Sequence, residues 1–489
     1  MAQLLSTLLA ALPSRVTHSV KYDFVVNGLT NDSRRVKSNY LFCAIRGADA
    51  DGNAFIPEAI AAGAKVIIHT ADCPDRQPNI IYLQVPDAYE AYSRLAAAWF
   101  DYPAQKLKLH GITGTNGKTT SAYLLYQLLT TGGRHCGLLS TVEYRLGSRT
   151  LPAERTTPAA YELQAYFAEM RDNGVTDVVM EVSSHALAQH RLGLLKFHSA
   201  IFTNLTGDHL DYHRTMDNYF AAKQKLFAEH LHQAGTAIIN IDDPWGAKLA
   251  GLLPKPVKRL TFGETAEADV QFAIQRLSAA GTRFTLTRQG RTRPFQTALI
   301  GRHNVYNLTG VILAAHANGL PLPQIAETLE QPCPVPGRLE SIAAPRGIRF
   351  FVDYAHTDDA LYNVLNILRA IAPRRVITVF GCGGDRDRTK RPRMGKVAAE
   401  HSDLCIVTSD NPRSETPEAI IADIRTGMPS EAAVQIEPDR RQAIALAYRL
   451  AEPEDLILVA GKGHENYQEI NHVKHPFDDR EVIRRLIGN

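Results

Sequence analysis

The residues from Gly111 to Thr120 combine the types and the spacing that bind phosphate. They are Gly111-Ile-Thr-Gly-Thr-Asn-Gly-Lys-Thr-Thr120. An alternating run before them predicts a strand, and apolar residues at helical spacing after them predict a helix. Glycines allow backbone N–H groups to turn inward onto a phosphate, and the helix N-terminus adds a partial positive charge.

In such a loop Lys118 is expected to reach the outer phosphates, and the Thr119 hydroxyl to bind Mg²⁺. The pattern departs from G-x-x-x-x-G-K-[ST], because Ile112 stands where its first glycine would be. The alternative is a glycine-rich turn without a ligand. The strand–loop–helix context favours a nucleoside triphosphate site.

Polar residues also follow other predicted strands, and function in open α/β sheets lies at the carboxyl ends of strands. Glu181 ends an apolar run, and a buried carboxylate near phosphates is most simply explained by a cation. His209 lies in a polar loop, where a histidine is more often solvated or structural than a ligand. Gly381-Cys-Gly-Gly384 lacks the G-x-G-x-x-G spacing and therefore does not predict NAD.

Three mixed-charge loops follow predicted strands near the C-terminus. They are Asp385–Arg393, Asp410-Asn-Pro-Arg413 and Gly461-Lys-Gly-His-Glu465. Together at one sheet edge they would suit a small zwitterionic ligand. The alternative is three solvated turns that pair among themselves.

Composition sets limits on the class of protein. A chain of 489 residues predicts two to four domains, and its 45% apolar and 21% charged residues are typical of a globular protein. The net charge of +3 gives no case for nucleic acid, and no apolar run is long enough to predict a membrane span. The six cysteines contain no C-x-x-C pair, which predicts free thiols in a reducing cytoplasm.

Strands alternate with helices along most of the chain, which predicts the α/β class. We expect a small N-terminal α/β domain (1–105), a central, mostly parallel P-loop domain (106–334) and a C-terminal, doubly wound Rossmann-like domain (335–489). Gly28–Arg34 favours a solvated loop, and Leu4–Leu12 an amphipathic helix rather than a signal peptide. Thr416-Pro417 predicts the N-cap and first residue of a helix.

The order of these motifs resembles that of the Mur ligases, over nearly the whole chain. The matching stretches are Gly114–Thr120, Thr156-Thr-Pro158, Glu181-Val-Ser-Ser-His185, Asn204–His213, Gly301–Asn307, Asp353-Tyr-Ala-His356 and Gly461-Lys-Gly-His464. Asp410–Arg413 resembles the signature of the members that join meso-diaminopimelate to UDP-N-acetylmuramoyl-L-alanyl-D-glutamate. One departure is Asp358, where many relatives have proline.

The resemblance implies an ATP-dependent ligase of peptidoglycan precursor synthesis in the bacterial cytoplasm, working through an acyl phosphate. It implies ATP contacts from Gly114, Thr115, Asn116, Gly117, Lys118, Thr119, Thr120, Asn304, Arg338, Asp353 and His356. It implies UDP-substrate contacts from Asn31, Ser33, Thr156, Thr157, Ser183, Gln189 and Arg191. It implies diaminopimelate contacts from Arg386, Asp410, Asn411, Pro412, Arg413, Gly461 and Glu465.

The resemblance also implies two Mg²⁺ ions. Their protein ligands would be Thr119, Glu181, His209 and Lys223, and the implied catalytic residues are Lys118, Glu181, His209 and Lys223. Lys223 would act as a carbamate (N6-carboxylysine), because an ammonium cannot bind Mg²⁺. Nothing in the spacing of Lys223 predicts this, and by default a helical lysine is a solvated surface residue.

Other functions stay open from the sequence alone. The nearest is the same ligase reaction with L-lysine as the added amino acid. Other Mur ligases and folylpolyglutamate synthases share the loop, but the Asn-Pro-Arg set argues against them. A P-loop switch or kinase and an inactive binding module belong to different classes.

We further expect a monomer, and we expect Arg413 to bind a distal carboxylate that lysine lacks, with Glu465 on the distal ammonium.

Overall fold

The computed structural model describes residues 2–13, 23–47, 50–71, 76–254, 257–333, 335–372 and 374–488. Cys73, one of the six cysteines, and Pro334, the last residue of the predicted central domain, lie outside them. The chain forms two compact units. The first comprises residues 1–273, 286–293 and 306–328, and the second comprises residues 274–285, 294–305 and 329–489.

The N-terminal part of the first unit contains a four-stranded parallel sheet. Its strands, in spatial order, are Gly28–Thr30, Tyr40–Cys43, Ala64–His69 and Ile81–Gln84. Gln3–Leu4 and Val25–Val26 form a separate antiparallel pair. The helices of this part are Leu5–Leu9, Ile56–Ala61 and Ala88–Trp99, with 3₁₀ turns at Ser33–Arg35, Gly52–Phe55 and Pro103–Lys106.

The prediction of a solvated loop over Gly28–Arg34 is wrong for Gly28–Thr30, whereas Asn31 and Arg34 are exposed. Gly28–Thr30 is a buried strand that pairs with Tyr40–Phe42. A Cβ atom at Gly28 would lie 2.2 Å from the Tyr40 ring, so this strand needs glycine at that position. Three residues are too few to show the alternation of apolar and polar residues that predicts a strand, so the sequence did not reveal this one.

The central sheet of the first unit carries the glycine-rich loop. From Cys136–Leu139 onward, its strands run parallel in the order Cys136–Leu139, Asp177–Glu181, Lys108–Thr113, Phe197–Phe202, Leu231–Asn240 and Lys258–Gly263. Glu143–Arg145 and Thr150–Pro152 extend it antiparallel beside Cys136–Leu139. The helices are Lys118–Thr131, Ala160–Asp172, Ser184–Ala188, Leu210–His213, Met216–Ala228 and Pro244–Leu252.

Several elements are divided between the two units. The strands are Val270–Ser278, Gly281–Arg288 and Arg291–Thr297, and the helices are Arg302–Ala317 and Leu322–Glu330.

The second unit is built on a six-stranded sheet. Its order is Glu340–Ala343, Arg349–Asp353, Leu456–Ala460, Val376–Phe380, Leu404–Val407 and Val434–Ile436, with only the first strand antiparallel. A hairpin, Tyr467–Ile470 and Val473–Pro476, follows the strand that ends at Ala460. The helices are Asp358–Ile371, Lys390–His401, Pro417–Arg425, Arg440–Leu450 and Asp479–Ile487, with a 3₁₀ turn at Pro345–Gly347.

Helices cover both faces of this second sheet. Successive strand residues point to opposite faces, so Phe351 packs with Leu361 and Met394, whereas Phe350 packs on the other side with Ile444. The predicted α/β class, with a doubly wound C-terminal sheet, is confirmed. The domain boundaries at residues 105 and 334 stay predictions.

The predicted helix start at Thr416-Pro417 is confirmed, and the predicted helix over Leu4–Leu12 is confirmed only in part. Thr416 is the N-cap of the helix that begins at Pro417, but its side chain makes no capping hydrogen bond. The expected helix over Leu4–Leu12 is limited to Leu5–Leu9. Among the described residues, every helix is too short or too polar to span a bilayer.

A buried ion pair joins two helices of the second unit to its sheet. The Arg440 guanidinium, which is fully buried, donates through Nε and Nη2 to both carboxylate oxygens of Asp479 at 2.8 Å. Nη2 also donates to the carbonyl oxygen of Ala460, at the end of a central strand (3.0 Å). The pair therefore fixes the strand end from which the loop at Gly461 starts.

We expect Asp479→Ala to destabilise the protein by about 3–5 kcal/mol, because it leaves a buried guanidinium without its anion. Denaturant-induced unfolding measures the change. The control is Glu481→Ala in the same helix, where the pair with Arg485 is largely exposed and its loss should change stability little. Equal effects of the two substitutions would contradict this assignment.

Candidate active site

The glycine-rich loop has the predicted strand–loop–helix geometry. The strand ends at Thr113, and the helix begins at Lys118 after Gly117 in the left-handed region (φ 86°). Asn204 holds the loop: its carbonyl oxygen accepts from the Thr115 N–H and its Oδ1 from the Asn116 N–H, both at 2.9 Å. Asn204 lies in a motif that the sequence singled out, but its role as the support of the loop was not predicted.

Two lysines donate to the same carbonyl oxygen of this loop. Lys118 Nζ lies 3.0 Å from the oxygen of Gly114 and 2.8 Å from that of Thr115. Lys223 Nζ lies 2.8 Å from the oxygen of Gly114. The two side chains come from different helices, so the loop brings together residues that are far apart in sequence.

Lys223 is not the surface residue that its type suggested, because only 1% of it is exposed. Burial, and then the charge of Lys118, hold the pKa of its amine well below the usual range. A signal for this burial exists in the sequence. Lys223 is four residues after Tyr219 and three and four before Leu226 and Phe227, which places it on the apolar face of its helix.

Glu181 ends its strand fully buried. One carboxylate oxygen accepts from the Thr141 N–H (2.8 Å) and the other from the Thr141 hydroxyl (3.1 Å). The Thr141 hydroxyl is also 3.2 Å from that of Thr156, so a residue of the expected UDP-substrate set lies beside Glu181. The predicted burial of this carboxylate is correct.

The expected metal ligands do not form a complete metal site in the part of the chain that the structure describes. His209 is exposed and stacks edge-on against His185, with 4.8 Å between ring centroids. Within the described residues, no group of three His, Cys, Asp or Glu side chains is arranged to hold a metal. No hydrogen bond there joins Glu181, His209 and Lys223 to one another, and Thr119 is buried in the first turn of its helix.

A cavity of about 710 Å³ in the first unit gathers most of the expected UDP-substrate residues. Asn31 and Ser33 line it from the N-terminal sheet, and Gln189 and Arg191 from the central part. Further lining residues that the sequence did not predict include Tyr89, Tyr92 and Arg155. The cavity thus offers aromatic rings and cationic groups together, which suits a nucleotide.

A short chain of hydrogen bonds leads from this cavity to Glu181. Arg191 Nη1 donates to the Thr157 carbonyl oxygen (2.8 Å), and the Thr157 hydroxyl donates to the Glu181 carbonyl oxygen (2.8 Å). The Thr157 hydroxyl also accepts from the Ser183 N–H (3.0 Å). Thr157 and Ser183 therefore connect the cavity with the strand end at Glu181.

In the second unit, Arg338, Asp353 and His356 surround Tyr354. Asp353 accepts from the N–H groups of Leu339 (2.7 Å) and Ala355 (2.8 Å), and burial raises the pKa of its carboxyl. The Arg338 guanidinium lies 5.3 Å from the Tyr354 ring centre, and its buried Nε has no partner in the described structure. His356 Nδ1 lies 2.8 Å from the Tyr354 carbonyl oxygen.

Asn304 is buried, and its Nδ2 donates to the Ile300 carbonyl oxygen.

The loops at Asp410 and Gly461 meet at the carboxyl edge of the second sheet. Asp410 and Asn411 are buried, so the alternative of solvated turns is wrong for this loop, whereas the loop at Asp385–Arg388 is exposed. Asn411 Nδ2 donates to Glu465 Oε2 at 2.9 Å. Gly461 lies so close to Asp410 that a Cβ atom there would be 2.4 Å from Asp410 Oδ2, an oxygen without a hydrogen-bond partner in the described structure.

Arg413 and Arg386 differ in how firmly they are held. Arg413 Nη1 donates to the Gly384 carbonyl oxygen (2.7 Å), and its Nε donates to Glu469 Oε2 (3.0 Å). Pro412 packs with its carbonyl group against Gly384. Arg386 is exposed, and among the described residues its guanidinium donates one hydrogen bond, to the carbonyl oxygen of Asp385 (3.2 Å). The expected diaminopimelate residues therefore lie close together, except that Arg386 lies at the rim.

Family models match most of the chain. "Mur ligase family, catalytic domain" matches residues 25–99, "Mur ligase middle domain" residues 112–315, and "Mur ligase, glutamate ligase domain" residues 337–463. The chain belongs to the Mur ligase family.

Similar proteins carry more specific names. A Geobacter metallireducens protein named UDP-N-acetylmuramoyl-L-alanyl-D-glutamate--2,6-diaminopimelate ligase is 44% identical over 94% of this chain and 93% of its own length. A Synechococcus elongatus protein of the same name is 43% identical over 99% of each. A solved structure of that name has a TM-score of 0.70 at 35% identity, covering 94% of both chains. MurF from Acinetobacter baumannii has the same fold (TM-score 0.60, 19% identity, covering 99% of this chain and 98% of its own).

The loop geometry predicts that Gly114→Ala weakens ATP binding by about ten- to a hundredfold. A Cβ atom there would lie 1.9 Å from the Thr203 hydroxyl and 3.0 Å from the Asn204 carbonyl oxygen, which fixes the loop. Isothermal titration with ATP measures the effect.

The matched control is Gly133→Ala, at the other end of the same helix. Gly133 also has a positive φ (82°), but nothing lies within 4 Å of a Cβ atom there. This variant should bear similar backbone strain and still bind ATP. If Gly114→Ala binds ATP as the parent does, the loop is not the nucleotide site.

Proposed function

We propose that this chain is the ATP-dependent ligase that joins meso-diaminopimelate to UDP-N-acetylmuramoyl-L-alanyl-D-glutamate. The observation that carries the proposal is the junction of the loops at Asp410 and Gly461, where the buried Asn411 amide donates to the Glu465 carboxylate and the nearby Arg413 pairs with Glu469. Relatives at 43–44% identity over nearly the whole chain bear the name of this ligase. The lysine-adding alternative is not favoured.

The reaction requires positioning more than a protein nucleophile. A carboxylate oxygen of the UDP-substrate attacks the γ-phosphorus of ATP, the bond from that phosphorus to the bridging oxygen breaks, and ADP leaves. The amine of diaminopimelate then attacks the acyl carbon, loses a proton, and phosphate departs from the tetrahedral intermediate. The N–H groups of Thr115 and Asn116 donate to Asn204, so we assign the N–H groups of the first helical turn, from Lys118 to Thr120, and the Lys118 side chain to the transferred phosphate.

Mg²⁺ would neutralise the charge of the phosphates, and the residues present fit it on one condition. As an ammonium, Lys223 cannot bind a cation, whereas a carbamate offers two oxygens that share one negative charge. Only the unprotonated amine of a lysine reacts with CO₂. Burial lowers the pKa of Lys223 and therefore favours that form, which supports this modification. We assign Thr119, Glu181, His209 and the carbamate of Lys223 to the two ions.

The remaining ligands follow from the sites described. We assign the 710 Å³ cavity, with Asn31, Ser33, Gln189 and Arg191, to the UDP-substrate. Thr156, Thr157 and Ser183 would carry its peptide end towards Glu181. We assign Asn304, Arg338, Asp353 and His356 to the nucleoside of ATP, since the unpartnered Nε of Arg338 can still donate a hydrogen bond.

Arg413 needs one correction to the sequence-based hypothesis. Lysine was expected to leave its guanidinium without an anion, but Glu469 supplies one in the protein itself. The penalty against lysine is therefore smaller than that for a bare buried cation. Glu465 would bind the distal ammonium, and Arg386 and Asp410 would complete the pocket.

We also propose a cytoplasmic location, supported by the free thiols of Cys43, Cys136, Cys333, Cys382 and Cys405. The monomeric state stays a prediction.

ADP release tests the function. With the UDP-dipeptide present, the parent should release ADP when meso-diaminopimelate is added. Release should be slower by about tenfold or more with L-lysine, and almost absent without an amino acid. Lys118→Ala should release none while still binding the UDP-dipeptide. ADP release independent of any amino acid would indicate a switch or kinase, and equal use of lysine would indicate the sister ligase.

Lys223→Ala tests the carbamate. Activity should fall on the order of a hundredfold or more, because the metal site lacks one anionic ligand. Acetate at high concentration should restore part of it by supplying an oxygen donor. The control is Lys225→Ala, two residues further along the same helix and only partly buried, which should keep full activity. Parental turnover by Lys223→Ala would contradict the assignment.

A further inference from the structure

Asn411 is the centre of a network that includes two charged residues without an assigned role, Lys462 and Glu469. Its Oδ1 accepts from Lys462 Nζ (3.0 Å) and from the Glu469 N–H (2.9 Å). Its Nδ2 donates to Glu465 Oε2 (2.9 Å). Only this orientation of the amide is chemically possible, because the reverse would point its NH₂ group at an ammonium. Asn411 is thus a fixed bridge and has little capacity left for a ligand.

Lys462 is the counter-ion of Glu465. Its side chain is fully buried, and Nζ lies 2.9 Å from Glu465 Oε2. The same oxygen therefore accepts from both Lys462 and Asn411. Glu465 Oε1 has no partner among the described residues, so it can still accept a hydrogen bond from a ligand.

Glu469 is the counter-ion of Arg413. Besides the 3.0 Å ion pair, the Arg413 N–H donates to the Glu469 carbonyl oxygen (3.0 Å). The Arg413 carbonyl oxygen accepts from the Asn471 N–H (2.7 Å), so the hairpin after Gly461 holds Arg413 through its backbone as well. In the part of the chain that the structure describes, Nη2 of Arg413 has no hydrogen-bond partner.

We propose that Glu469 and Lys462 are positioning residues of this site: Glu469 sets its preference between amino acids, and Lys462 sets its affinity for the ammonium that both amino acids carry. The proposal rests on the proposed function. Each residue forms an ion pair with a group that would bind the distal end of the substrate and so offsets part of that group's charge. Lys462 pairs with Glu465, and Glu469 pairs with Arg413. The ion pairs leave Glu465 Oε1 and Arg413 Nη2 free for a substrate ammonium and carboxylate.

The two counter-ions should act differently on two amino acids. Meso-diaminopimelate carries both a carboxylate and an ammonium on its distal carbon, whereas L-lysine carries only the ammonium. The charge of Glu469 lies against the group that binds the carboxylate and therefore weakens the attraction for diaminopimelate alone. The charge of Lys462 lies against the group that binds the ammonium, which both amino acids share.

The test uses the purified full-length enzyme with ATP, the UDP-dipeptide and an equimolar mixture of the two amino acids. The ratio of the two products gives the ratio of kcat/KM values. Glu469→Gln should raise the preference for diaminopimelate by about fivefold, mainly through its KM. Glutamine keeps the hydrogen bond to Arg413 Nε and both backbone contacts, and Glu469→Asp, which keeps the charge, should stay near the parental ratio.

Lys462→Met tests the other end of the network. It should change the KM values for both amino acids by a similar factor and leave the product ratio within about twofold of the parent. The proposal is overturned if Glu469→Gln leaves the product ratio unchanged or lowers it. It is also overturned if Lys462→Met raises the ratio as much as Glu469→Gln does. Absence of both products from the parent enzyme would instead refute the proposed function.

Discussion

The carbonyl oxygen of Gly114 accepts hydrogen bonds from Lys118 and Lys223, and the arrangement of the active site depends on this shared contact. Two ammonium groups near one oxygen repel each other, and the more buried of the two loses its proton more readily. Lys223, which is buried, is that residue. This arrangement favours the unprotonated amine of Lys223, which is the form from which a carbamate can be made.

The backbone of the loop is what makes the shared contact possible. Gly114 adopts φ +150°, and a side chain there would collide with Thr203. Thr203 and Asn204 follow the neighbouring parallel strand and bind the loop at Thr115 and Asn116. Because parallel strands end at one edge, this contact and the buried Glu181 lie on the same side of the sheet. The second unit uses the same principle at Asp410 and Gly461.

The sequence predicted those features that depend on local pattern. The phosphate loop, the α/β class and the burial of Glu181 follow from periodicity and from glycines at fixed positions. The strand at Gly28 was missed, because three residues are too few to show alternation. Lys223 was assigned to the surface by residue type, although its spacing from Tyr219 and Leu226 places it on the buried face.

Other features depend on contacts between distant segments, which no local pattern contains. The pairing of Arg413 with Glu469 joins a loop to a hairpin 56 residues later. The support of Asn116 by Asn204 spans 88 residues. Resemblance to a family supplied the residue sets, but it did not indicate which charges are already paired within the protein.

The most direct test of this account is whether Lys223 carries a carbamate. Carbon-13 NMR of the protein equilibrated with ¹³C-labelled bicarbonate and Mg²⁺ would detect it. The account predicts a carbamate resonance from the parent that is absent from Lys223→Ala and present in Lys225→Ala. A parent without this resonance, yet fully active in the same buffer, would contradict it.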